Sequence, residues 1–194
     1  KAQLMFNQQG IIEKIVDTSM GNLKDENNNF LIKENSDAEA IEKFNEEFVI
    51  SFERNHRVLK YKDLDETPQI LIPNKLLNNL PYNGGIEAMI PLDNHNIFTL
   101  AEDMVLSNGN LLITIFNPNK NISMEFEKNG TYKPTDLSLL PNGDLLLLER
   151  SYSRAKGASA RISIIEKTDF SKLGALKSNE LGKISPPMTV DNFE

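Results

Sequence analysis

Apolar residues along this chain come in short runs, such as "VISF", "AMIP", "LLITIF" and "ARISII", separated by polar stretches rich in Asn, Lys, Gly and Pro. Runs of this length bounded by turn-forming residues predict β-strands. Alternation of apolar and polar positions is plain in "ARISII" and "ISMEFE" and predicts half-buried strands, whereas "LLLL" at 145–148 predicts a strand buried on both faces. Within "PTDLSLLPNGDLLLLERS" (134–151), Asn142-Gly143 lies between two apolar runs. An Asn-Gly pair in that setting predicts a two-residue type I′ hairpin, because both central residues need positive φ. That register sets Asp136 directly opposite Glu149, and like charges facing across a ladder need something to offset them.

The same symmetry recurs upstream. In 83–103, Glu87 and Glu102 are equidistant from a turn centred on Asn94-His95, and in 36–55, Glu39 and Glu53 flank a turn near Glu46 that has no glycine. "SDAEAIEKFNEEF" would also suit a short helix by its Glu and Ala content, but its place in the repeat favours a hairpin. The leading acids Glu39, Glu87 and Asp136 are 48 and 49 residues apart, and Glu194 would open a further unit after 58. A period near 48 is that of one four-stranded propeller blade. Second hairpins are available in the gaps: "RVLKYKDL" with "PQILIP", "LLITIF" with "ISMEFE", and one starting at "ARISIIEK". "QLMF" and "IIEKIV" read as the outer strands of a preceding, truncated blade, and 18–36, 73–85 and 151–160 read as connectors. The expected fold is all-β, a β-propeller of four-stranded antiparallel blades with about three to four blades in this chain.

In a propeller, an acid opening the innermost strand and an acid closing the second emerge at the same face. Glu39, Glu53, Glu87, Glu102, Asp136 and Glu149 should therefore gather on one rim, followed by Asp191 and Glu194. Such a set of hard oxygens suits Ca²⁺, or Mg²⁺ with retained waters. The competing reading is that the acids cap strands or pair with arginines between blades, which is the favoured role for Arg54 and Arg150; either arginine, or Arg57, could instead grip a phosphate. His56 adjoins the rim and is a candidate general acid or base, while His95 falls in a turn at the opposite face. A cation with arginines beside it would make a phosphoester site.

Composition narrows the partners. The formal charge is −7, which disfavours sequence-independent nucleic-acid binding. There is no cysteine and there are only two histidines, so thiolate and multi-histidine zinc sites drop out. No apolar run reaches about 18 residues, so no membrane-spanning helix is expected.

The segments "DAEAI", "VISFERNHRV", "NGGIEAMIPL", "PTDLSLLPNGDLLLLERSYSRAKGASARI" and "PPMTVDNFE" together closely resemble the bacterial, often exported phytase-like domain called "esterase-like activity of phytase". The resemblance implies one propeller-like domain over 1–194, an internal segment with further strands expected at one or both ends. It also implies a phosphoester or ester hydrolase located in the periplasm or secreted, acting on a small phosphate ester or another anionic ligand. The family's acids fall on Glu39, Glu53, Glu87, Glu102, Asp136, Glu149, Asp191 and Glu194, and its Glu-Arg pairs on Glu53-Arg54 and Glu149-Arg150. Glu87, Glu149, Arg54, Arg150 and His56 are the expected catalytic groups. The alternative is a noncatalytic propeller that binds a small ligand, carbohydrate or protein on the same face.

Overall fold

A computed structural model describes residues 2–190. Among them are three four-stranded antiparallel sheets and one two-stranded sheet. The two-stranded sheet pairs β1 (Gln3–Phe6) with β2 (Ile12–Val16). The first blade is β3 (Ala38–Phe44), β4 (Glu47–Phe52), β5 (Arg57–Tyr61) and β6 (Gln69–Ile72). The second is β7 (Ile86–Pro91), β8 (Ile97–Val105), β9 (Leu111–Phe116) and β10 (Ile122–Phe126). The third is β11 (Lys133–Leu139), β12 (Leu145–Ser153), β13 (Gly157–Ile165) and β14 (Asn179–Ile184). In each blade the strands are hydrogen-bonded in chain order, and the first strands β3, β7 and β11 pack successively against one another. This is the propeller-like architecture expected from the repeat, with a hairpin and not a helix over 38–52.

The core lies between the blades. Phe44, Val49 and Val58 of the first blade pack on Met89, Ile97 and Phe116 of the second. The other face of the second blade, through Ala88, Phe98 and Leu100, packs on Leu137, Leu145 and Leu147 of the third. The second blade is thus apolar on both faces because it is covered on both. The "LLLL" run differs from expectation. Leu145 and Leu147 are buried, while Leu146 and Leu148 are only half-buried, because they face away from the second blade. On the far face of the first blade, Ile50, Phe52, Leu59 and Tyr61 are covered by Leu23, Leu31 and Leu64, and the Tyr61 hydroxyl donates to the Lys24 carbonyl at 2.6 Å.

Two details of register correct the sequence expectation. Asn142-Gly143 does not form a two-residue turn. Leu140 N–H bonds to Asp144 O at 2.9 Å and Gly143 takes φ +89°, so the loop has three residues with glycine in the left-handed position. The two-residue turn occurs in the first blade instead, where Asn45 and Glu46 adopt φ of 51° and 64° without any glycine. The stretch 151–160 is not a connector but the tip of the β12–β13 hairpin, with Ser153 opposite Gly157.

The second detail is a bulge in the first strand of every blade. Glu39 is the extra residue between the pairs Ala38–Phe52 and Ala40–Ser51. Glu87 is extra between Ile86–Ala101 and Ala88–Leu100, and Thr135 between Pro134–Glu149 and Asp136–Leu148. A bulge leaves a backbone group without its ladder partner and re-aims the side chains around it. In the first blade Ser51 fills the gap. Its Oγ accepts from Ala40 N at 2.9 Å and donates to Ile86 O of the second blade at 2.7 Å.

A left-handed conformation costs a residue with a Cβ roughly 1–2 kcal/mol. Glu46→Gly should therefore stabilise the protein by about 0.5–1 kcal/mol, since the exposed Lys43–Glu46 ion pair that it removes contributes little. The denaturant midpoint of unfolding measures this; a lower midpoint in the variant would refute the turn assignment.

Candidate functional site

The bulges set the chemistry at one end of the blades. Glu39, at the first bulge, Asp37, two residues before it, and Glu53, just past the end of β4, come together with one carboxylate oxygen each within 4.8 Å of the others. Glu53 is buried and the other two are half-buried. Arg54, in the same blade, forms an ion pair with Asp37 at 2.9 Å. This pair lies within one blade, whereas the sequence favoured a bridge between blades for Arg54. The second blade enters beside these acids at Gly84-Gly85. Gly85 N–H donates to Glu53 Oε1 at 3.3 Å. A Cβ at position 85 would lie 3.3 Å from Glu53 Cβ and Cγ and 3.5 Å from Glu39 Cγ, so the backbone presses directly on the two carboxylate stems.

In the second blade, Glu87 occupies the bulge and Glu102 follows the residue paired with Ile86. They do not face each other across a ladder pair, yet their side chains share a hydrogen bond. Burial pushes the Glu87 carboxyl up to about 8, and the charges of Glu102 and Glu39 push in the same direction, while Arg150 opposes them. A proton is thus held at this pair near neutral pH. Glu102 and its neighbour Asp103 are bridged by Lys133 of the third blade, at 3.1 and 2.6 Å. Burial works against the Lys133 ammonium, but the two carboxylates outweigh it and hold its pKa above the ordinary lysine value.

The third blade departs from the expected pattern. Counting from the bulges, Glu39, Glu87 and Thr135 are equivalent and 48 residues apart, as are Asp37, Gly85 and Lys133. Arg150 stands where Glu53 and Glu102 stand. Asp136 pairs with Leu148 and Glu149 with Pro134, so the two acids are not opposed. Glu149 is buried in a two-point bond with Arg161, Nε–Oε2 2.7 Å and Nη2–Oε1 2.8 Å, and Ser163 Oγ donates to Oε2 at 3.0 Å. The Arg161 guanidinium also stacks 4.2 Å from the Tyr132 ring centroid. Asp136 is half-buried, and burial raises its pKa. Its charge reaches Glu42 of β3, whose carboxyl is pushed up to about 7 by burial and then by Asp136.

His56 is buried, with Nε2 2.8 Å from Pro81 O and Nδ1 without a partner among the described residues. Arg57 donates to the Asn55 and Asn35 carbonyls at 2.7 Å each and stacks on Phe52. His95 is exposed in the turn at the other end of the second blade. Asp191 and Glu194 lie outside the described residues. Asp37, Lys133, Glu42 and Arg161 were missed from sequence; a strict count of 48 residues would have aligned the first two with the "NGG" glycine.

The family model for the phytase-like proteins, described as "esterase-like activity of phytase", matches residues 1–194. The chain belongs to the phytase-like family. No curated protein matches it. The phytase-like name suggests a hydrolase, and the carboxylate cluster of the first blade has hard oxygen donors close enough together to take a cation. Among the described residues no helix is long and apolar enough to cross a membrane.

Two outcomes are expected of this phytase-like chain. Glu87 and Glu42 have folded-state pKa values above their unfolded ones, so the folded form binds more protons. Their contribution to stability is complete below about pH 4.5 and is lost as pH rises toward about 8. In chelator, the thermal midpoint should climb as pH falls from about 8.5 to about 5, and Glu87→Gln should flatten that slope; an unchanged slope would exclude Glu87 as its source. Breaking the Glu149–Arg161 pair by Arg161→Ala should cost about 3–5 kcal/mol in urea unfolding, because a buried carboxylate is left uncompensated. A loss under about 1 kcal/mol would mean the pair is solvated.

Proposed function

We propose that this phytase-like chain hydrolyses small phosphate esters with a divalent cation, Ca²⁺ in the first place and Mg²⁺ as the alternative. The observation that carries the reading is the convergence of Asp37, Glu39 and Glu53 within 4.8 Å, beside a protonated acid and a third-blade arginine. The three carboxylates bring one hard oxygen each to the same place, part of the 6–8 that Ca²⁺ takes, and leave the other positions to water or a phosphoryl oxygen. When bound, such an ion supplies charge to the phosphoryl oxygens and an activated water.

The chain's own residues divide the rest of the work. Arg150 binds and orients the phosphate with its planar donors. Glu87, carrying a proton near neutral pH, donates it to the leaving oxygen. Glu102, held by Lys133, keeps that proton in place. Glu149 is left out of this set because Arg161 and Ser163 occupy both its oxygens, and His56 because it is packed against the Pro81 carbonyl. A periplasmic or secreted location goes with this reading, since modules outside the cytosol work with weakly held calcium.

The test is turnover of p-nitrophenyl phosphate and of phytate with added Ca²⁺ or Mg²⁺. Metal-dependent turnover that falls by about 100-fold or more in Glu53→Gln and Arg150→Ala is expected. Absence of turnover, or turnover that survives chelation and both substitutions, refutes the proposal. Ligand binding on this face without turnover would support the noncatalytic alternative instead.

A further inference from the structure

The end of the blades opposite the acid rim carries a cavity of about 420 Å³ between the first and second blades. Its floor is made of core side chains, Phe44, Ile72, Ile97 and Phe116, which are all nearly fully buried. Leu76, half-exposed in the short 3-10 turn Asn74–Leu76, forms one lip. The other lip is the 117–121 loop between β9 and β10, which carries Lys120. That loop is held by its own side chains. Asn121 Oδ1 accepts from Asn117 N at 3.3 Å, and Asn117 Nδ2 donates to Asn96 Oδ1 of the neighbouring turn at 2.8 Å. A further bond from Asn45 Nδ2 to Asn94 O, at 3.0 Å, ties the first-blade turn to the second.

The chain carries a formal charge of −7, yet no carboxylate lines the cavity, and Lys120 stands at its mouth, exposed. A cavity of a few hundred Å³ with an apolar floor and a few polar groups at its edge has the size and character of small-molecule sites. We infer that it binds a small amphipathic anion, with a flat apolar body against Phe44, Ile97 and Phe116 and its acidic head at Lys120. This site is separate from the acid rim and does not depend on the reading of the rim as a hydrolase.

The probe is 8-anilinonaphthalene-1-sulfonate, titrated into the intact chain by fluorescence, with uncharged N-phenyl-1-naphthylamine in parallel. The sulfonate dye should saturate one dominant site. Lys120→Glu should weaken it about five- to ten-fold, roughly the loss of one charge-assisted contact, and leave the uncharged dye unaffected. Leu76→Asp, at an exposed lip where folding is not at risk, should weaken both dyes. Ile162→Ser, on the exposed face of the third blade, should change neither. Non-saturating binding, or sulfonate binding that is lost in Ile162→Ser and kept in Lys120→Glu and Leu76→Asp, overturns the inference.

Discussion

The junction between consecutive blades at their bulged end governs the rest of this structure. Each blade enters with a residue that contacts the acid closing the second strand of the blade before it. At the first junction this residue is Gly85, whose N–H reaches Glu53; at the second it is Lys133, whose ammonium reaches Glu102 and Asp103. The same position thus uses a backbone dipole in one place and a full charge in the other. The difference follows from what lies nearby. A Cβ at position 85 would sit tightly against the Glu53 stem, at 3.3 Å, whereas the long lysine side chain reaches two acids at once.

Charge changes around the series of blades. The first contributes Asp37, Glu39 and Glu53 to this end, the second Glu87, Glu102 and Asp103, and the third Lys133 and Arg150. Acids gathered under partial burial are hard to ionise together, and burial with the charges of Glu102 and Glu39 holds a proton at the Glu87–Glu102 pair. Lys133 of the third blade bridges Glu102 and Asp103, and the Arg150 charge opposes the rise at Glu87. The outcome is a mainly anionic cradle that holds a proton at Glu87–Glu102 and has a cationic edge.

Elsewhere the same residue types serve stability. Glu149 and Arg161 are almost wholly buried, and the pair is completed by Ser163 and by the Tyr132 ring, so that a carboxylate in an apolar junction keeps full hydrogen bonding. Ser51 performs a related task at the first bulge, accepting the amide that the bulge would leave unpaired and donating to the next blade. Both groups lie beside irregularities of the ladder, while the blades elsewhere meet largely through aliphatic and aromatic side chains.

The sequence by itself determined that the chain is built of short strands in repeating hairpins with a period near 48, because turn residues and alternation are local and each hairpin carries its own signal. It also determined that acids cluster at the hairpin mouths, and Glu39, Glu53, Glu87 and Glu102 do meet there. It did not determine which acids of the third blade join them. One bulge residue shifts the register, and a three-residue loop in place of the two-residue Asn142-Gly143 turn shifts it again, so Thr135 and Arg150 take the places expected for Asp136 and Glu149. Only the tertiary structure decided that Glu149 would turn to Arg161 and that Asp37 and Lys133 would enter the rim. Those outcomes depend on contacts between strands and blades far apart in the chain, where a shift of one residue exchanges one face for the other.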